Sequence, residues 1–123
     1  MLFKDNFYTI TSKSEHEENH IYSLQLNAEH AIFEGHFPGN PVTPGVVQME
    51  IIKELLQEST GKPHQLQTMG NCKFLAILNP ETNAEVDVTL KLSEGENGEQ
   101  KLSAVIQNAS TVFLKMNAAY LPA

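Results

Sequence analysis

His36 and Glu50 enclose the stretch Phe37-Pro38-Gly39-Asn40-Pro41-Val42-Thr43-Pro44-Gly45-Val46-Val47-Gln48-Met49, the part of the chain richest in residues able to do chemistry. Read in order, it sets an imidazole in a stiff turn, then a helix start with unpaired N–H groups, then a carboxylate about one and a half turns further in. An imidazole titrates near neutrality and can take a proton. The free amides of Gly45 and Val46 would sit at the positive end of the helix dipole and could hold a developing oxyanion. Glycine at 45 puts no side chain in the way of a carbonyl approaching its N–H. Taken singly, His36 also reads as a hydrogen-bonded loop histidine and Glu50 as a solvated or Lys-paired carboxylate. The prolines could merely shape a turn, so the inference rests on the joint spacing.

Those groups need a frame, and the hydrophobic pattern supplies one. Residues 20–27 alternate as a half-buried strand does. The Pro- and Gly-rich stretch from Glu29 to Val46 is a constrained loop. Thr43-Pro44-Gly45 opens a helix predicted over 44–59, with Thr43 at the N-cap, Pro44 at the first helical position, and Gly61 and Pro63 closing it. Val47, Met49, Ile51, Ile52, Leu55 and Leu56 sweep a broad apolar arc, interrupted by Gln48, which predicts burial on several sides. Glu50, Lys53, Glu54 and Gln57 form the remaining polar face. Strands are predicted at 65–78, 84–93, 100–108 and 111–121, with Asn97-Gly98 and Asn108-Ala109-Ser110 as turns. The expected class is α+β, with one or two strands before the loop, one long central helix wrapped by a curved antiparallel sheet, and a four-stranded meander after the helix. Exposed edges in such a sheet predict a homodimer joined edge to edge.

A different metal-binding pattern also occurs. His16-Glu17-Glu18-Asn19-His20 satisfies H-E-x-x-H, which binds zinc when a helix brings both histidines to one face. Its neighbours SKSEHEENH carry no apolar stripe that would bury such a helix, and a strand follows, so a solvated turn is expected and no metal is assigned. Cys72 is the single cysteine and closes no intrachain disulfide.

The chain has 123 residues, enough for one domain over 1–123, and a hydrophobic fraction of 41%, enough for a core without disulfides. Its eight cationic side chains are all lysines, set against fifteen acidic ones for a net charge of −7. That balance argues against nucleic acid, whose phosphates favour clustered cations and the guanidinium fork. With no apolar run of spanning length, a lone thiol and no apparent secretory leader, no membrane association and a cytoplasmic location are expected.

Residues 27–50, NAEHAIFEGHFPGNPVTPGVVQME, resemble the active-site segment of the FabZ/FabA-type (3R)-hydroxyacyl-[acyl carrier protein] dehydratases, which have the hotdog fold. Their HFPGxPVxPGVxxxE pattern is matched from His36 to Glu50 without a gap. Cys72-Lys73-Phe74 and Leu78-Asn79-Pro80 are also similar to that family's Lys-Phe strand and the proline ending it, so the similarity spans about 27–92. The resemblance implies dehydration of a (3R)-3-hydroxyacyl thioester without a cofactor. His36 would be the base, the Gly45 amide the oxyanion donor and Glu50 the acid, with Phe37, Pro44 and Val46 binding substrate. It also implies an acyl carrier protein or CoA thioester as substrate, and a homodimer or trimer of dimers in which His and acid come from opposite subunits.

Three departures from the family pattern stand out. Ile51-Ile52-Lys53-Glu54 replaces the usual Ala-Met-Ala-Gln after the glutamate. The N-terminal Pro-His-Arg-Tyr-Pro-Phe loop has only a loose counterpart in residues 1–12. An Arg-rich docking surface is missing, leaving Lys4, Lys53, Lys62, Lys73 and Lys115 for an acidic carrier protein. Competing readings are a thioesterase on the same fold, and a catalytically weak subunit that pairs with an active dehydratase.

Overall fold

The computed structural model describes residues 1–34 and 41–123. Strands β1 (Tyr8–His16) and β2 (Asn19–Leu26) form a hairpin, and a short 3-10 turn follows at Ala31–Phe33. Helix α1 (Gly45–Thr60) comes next, then β3 (His64–Phe74), β4 (Glu85–Glu94), β5 (Gln100–Gln107) and β6 (Val112–Pro122). All six strands join one antiparallel sheet in the order β1-β2-β4-β5-β6-β3.

This order corrects the expected four-stranded meander. β4, β5 and β6 do pair in sequence, but β3 pairs with β6 and lies at the far edge of the sheet. The strand predicted over 65–78 stops at Phe74, and residues 75–84 carry the chain from that edge back to β4. β3 is exposed along most of its length because only one neighbour covers it. At the opposite edge, β1 extends the sheet beyond the predicted strand at 20–27.

The H-E-x-x-H segment forms a hairpin. His16 ends β1, Glu17 and Glu18 make the turn, and His20 lies on β2. A helical ligand pair does not arise, since His16 pairs with Asn19 and His20 faces Glu15 across the strands. Among the described residues, no three His, Cys, Asp or Glu side chains converge as metal ligands, and no helix is long and apolar enough to cross a membrane.

The sheet curves around α1, as the hotdog fold does. Register shifts at Ile10/Ser12, Leu66/Thr68, Met69/Asn71 and Ile106/Gln107 supply local bends. Val47, Ile51, Ile52, Leu55 and Leu56 from the helix pack with Tyr22, Leu24, Val86, Val88, Leu90, Leu102, Ile106, Leu114 and Met116 from the inner face. Burial of each such aliphatic side chain is worth about 1.5–3 kcal/mol, so the helix is held by this core more than by its own propensity. Its C-terminus is sealed as predicted. Gly61 adopts the left-handed conformation at φ 76° and donates its N–H to the Gln57 carbonyl at 2.8 Å.

The polar face of the helix is only partly polar in its surroundings. Glu54, expected beside Glu50 on the solvated side, is fully buried. The N-terminal segment folds over it, a tertiary contact that helical periodicity cannot register. The turns are closer to expectation. Residues 95–99 join β4 to β5 with Gly98 at φ 80°, and Asn108 Oδ1 accepts the amides of Ser110 and Thr111.

Candidate active site

The helix start differs from prediction by one residue, and the difference matters chemically. Pro44, at ψ 149°, is still extended and occupies the N-cap, so Thr43 does not cap the helix. The Pro44 carbonyl accepts the N–H groups of Val47 and Gln48, both at 3.1 Å. Proline has no side chain that can cap. The amides of Gly45 and Val46 therefore find no protein acceptor among the described residues. Such amides at a helix N-terminus suit an anion or a polarised carbonyl.

Gly45 also lies against an aromatic ring. A Cβ there would lie 2.6 Å from Phe74 Cζ, so the aromatic ring at the end of β3 occupies the space a side chain would need. Val46, the next residue, is 75% exposed. Thr43 and Gln48 are buried just behind, and Gln48 Nε2 donates to the Thr43 carbonyl at 3.1 Å. Among the described residues, Thr43 Oγ1 and Gln48 Oε1 find no hydrogen-bond partner beside the helix start.

One and a half turns further along, Glu50 lines a cavity of about 260 Å3 with Val46, Met49, Lys53, Leu66 and Tyr120. Burial pushes its carboxyl above the ordinary carboxylate range; Lys53 pulls the other way, and the neighbouring Glu54 raises it further. Tyr120 reaches the same cavity from β6, and its phenol is pushed up to about 12 by burial, with the charges of Glu50 and Cys72 adding to this. The chemistry available is thus a carboxyl biased toward its protonated form, a neutral phenol and two open amides, set along one helical end. Wider hollows of about 420 and 600 Å3 lie elsewhere over the sheet; neither includes the helix start.

Of the residues singled out from sequence, Pro44, Gly45, Val46 and Glu50 fall within the first two turns of α1 and the residue preceding it. His36 and Phe37 lie outside the described residues. The loop leading to them is anchored. His30 Nδ1 accepts the Ile32 amide at 2.9 Å, which leaves Nε2 to donate to Asn6 Oδ1 at 3.0 Å. Phe3 and Phe7 pack edge-on against His30, and Phe7 also meets Phe33.

Sequence reasoning did not find Tyr120 or Leu66; it placed Lys53 and Glu54 one turn from Glu50 with opposite pulls on its carboxyl, and the burial of Glu54 is what it could not see. Tyr120 sits seventy residues from Glu50 in the chain, with no motif to link them.

The family model described as ApeI-like, ApeI dehydratase, matches residues 12–114. A curated relative from Latilactobacillus sakei, named 3-hydroxyacyl-[acyl-carrier-protein] dehydratase FabZ, is 30% identical over 93 residues, covering 70% of this chain and 66% of its own. A relative of the same name from Ligilactobacillus salivarius is 31% identical over 91 residues, covering 68% of this chain and 64% of its own. The chain thus matches slightly less than two thirds of the length of these relatives. Among solved structures, the dehydratase heterocomplex ApeI:P from Xenorhabdus doucetiae superposes with a TM-score of 0.72 at 16% identity, over 91% of this chain and 96% of that one.

Proposed function

The chain belongs to the ApeI-like dehydratase family, and from that membership we propose that it removes water from a (3R)-3-hydroxyacyl thioester to give the trans-2-enoyl thioester. The observation that carries the reading to this chain is Glu50, half-buried in its cavity and biased toward the protonated form, one and a half turns from the open amides of Gly45 and Val46. That is an acid and an oxyanion donor on one rigid element.

The reaction runs as follows in this proposal. The thioester oxygen accepts the Gly45 N–H, which polarises the carbonyl and acidifies the α-carbon. Neutral His36 takes the α-proton, and the electrons of that C–H bond form the new double bond. The C–O bond at the β-carbon breaks, and Glu50 protonates the departing hydroxyl, which leaves as water. Phe37, Pro44 and Val46 would bind the acyl chain. Each step is reversible, so hydration of the enoyl product tests the same chemistry, and no cofactor enters.

A single dehydratase-like domain over residues 1–123 would pair with a second copy through β3. This edge presents Leu66 and Phe74, and Leu75 and Ile77 continue the exposed apolar surface beyond it. The partner would complete each site by bringing its His36 toward Glu50. Assembly as a trimer of dimers is the larger option. Pairing with a different hotdog subunit is the competing reading, since one structural relative is a heterocomplex; native mass spectrometry separates the two.

The substrate's carrier would be an acidic acyl carrier protein, or CoA. Of the candidate docking lysines, Lys4 is committed to Glu58 at 3.3 Å, whereas Lys73 and Lys115 stand directly opposite one another on β3 and β6. Like charges opposed in this way cost stability. They are understandable if an acidic partner neutralises them, and Lys73→Glu with Lys115→Glu should then raise KM for carrier-bound but not CoA-bound substrate. A cytoplasmic location suits the free Cys72 thiol.

The direct test is hydration of crotonyl thioesters on both carriers, followed spectrophotometrically. His36→Ala should lower turnover by about two orders of magnitude or more, and unchanged turnover would remove His36 as the base. Release of free thiol instead of interconversion of enoyl and hydroxyacyl forms would make the protein a thioesterase.

A further inference from the structure

Glu54 is the one fully buried carboxylate among the described residues. Every hydrogen bond it receives comes from a donor. The successive backbone amides of Leu2, Phe3 and Lys4 converge on it at 2.9–3.3 Å, and the Tyr8 hydroxyl reaches Oε1 at 3.0 Å. Three consecutive N–H groups around one anion form a nest, an arrangement that favours negative charge. Burial, with Glu54 beside it, pushes the Tyr8 phenol up, so it stays a donor. A proton on Glu54 would point into this ring of donors. The donor set therefore suits the carboxylate form.

Glu54 follows Glu50 by four residues on α1, so the two side chains are neighbours one turn apart. We propose that Glu54 is a positioning residue for the reaction, a fixed negative charge that keeps Glu50 protonated and aims its carboxyl toward the substrate cavity. This rests on reading Glu50 as the acid. Two adjacent carboxyls cannot both ionise cheaply, and the one already ringed by donors leaves the proton to the other. A proton on Glu50 also has Glu54 as a hydrogen-bond partner. After Glu50 gives up its proton, the neighbouring charge favours its prompt reprotonation, which resets the site.

Other groups around Glu50 leave this effect standing. Lys53 on α1 and the Met1 amino group oppose it, while burial and Glu54 act together in its favour. From β6, Tyr120 is neutral at working pH, and from β3 the Cys72 thiol is raised by burial. Neither brings positive charge to the cavity.

Carboxyl 13C NMR titration of the intact protein tests this without any need for turnover. In the wild type, the Glu50 carboxyl should stay protonated above the ordinary carboxylate range. In Glu54→Gln its midpoint should fall, the direction that loss of a neighbouring negative charge gives. Glu54→Asp keeps the charge and should keep the midpoint high. The high-pH limb of kcat/KM should move with the midpoint in the same variants. If Glu50 ionises with ordinary carboxylates in the wild type, or has the same midpoint in Gln and Asp variants, the proposal is overturned. Should Glu54→Gln fail to fold, the order of the two titrations in the wild type decides: Glu54 ionising before Glu50 supports the proposal, and the reverse order overturns it. A raised Glu50 midpoint in a protein that hydrates no thioester would overturn the dehydratase reading alone and leave the electrostatic role in place.

Discussion

The two ends of helix α1 are built to opposite standards. At the N-terminal end, among the described residues, two amides find no acceptor and two buried oxygens no donor, Val46 faces outward, and a carboxyl is biased away from its charged form. At the C-terminal end nearly everything is satisfied. Gly61 closes the last turn, Thr60 Oγ1 donates to the Leu56 carbonyl at 3.0 Å, and Tyr22 and Ser59 share a hydroxyl contact at 2.7 Å. Leu55 and Leu56 beside this end are fully buried. One end holds the helix in the sheet so that the other can remain open. Unsatisfied groups cost stability wherever they occur, and in the proposed reaction the substrate carbonyl would satisfy an amide at the helix start.

Substitutions at the two ends should therefore separate rate from stability. The largest effect is expected from Glu50→Gln, which should lower kcat by about 10²–10⁴-fold while the circular dichroism spectrum keeps its shape. A variant that loses stability but not rate would return Glu50 to the role of a surface carboxylate. Leu55→Ala, near the sealed end, should cost about 2–5 kcal/mol in denaturant unfolding and leave kcat per folded molecule unchanged. Gly45→Ala comes next. Its methyl must displace the Phe74 ring, so activity should fall further than the melting temperature.

A pH effect sharpens the contrast. Because Glu50 holds its proton more tightly in the folded chain than in the unfolded one, its ionisation opposes folding. Stability drawn from this residue is greatest below the ordinary carboxylate range and is lost as pH rises through the elevated folded value. Glu50→Gln should accordingly melt higher than wild type at pH 8 and show no such gain at pH 4. The smallest effect is Tyr22→Phe, which removes one hydroxyl contact to Ser59 and should cost about 1 kcal/mol with no change in rate.

Much of the frame was legible in the chain. The helix was predicted over 44–59 and runs Gly45–Thr60, because a wide apolar arc and a closing glycine mark it locally. The strands at 84–93, 100–108 and 111–121 were legible for the same reason, since alternation of apolar and polar residues has a period of its own. Thr43 failed as a cap because Pro44 stays extended and moves the first helical turn along by one residue. β3 was misassigned within the sheet because antiparallel partners far apart in sequence leave no local signal. Half of the candidate site was likewise readable: Gly45, Val46 and Glu50 follow from one helix start, whereas Tyr120 and Leu66 join Glu50 only through the pairing of β3 with β6.

The sequence by itself determined the class of fold, the helix that carries the candidate chemistry and the family to which the chain belongs. These depend on periodicity and on a contiguous motif, both of which are one-dimensional. Only the tertiary structure decided which carboxylate is buried. Glu50 and Glu54 share a helix face and look alike in the chain, but the N-terminal segment folds its amides onto Glu54 and leaves Glu50 in the cavity. Charge and desolvation depend on neighbours in space, and about fifty residues of intervening chain separate Glu54 from the donors that surround it.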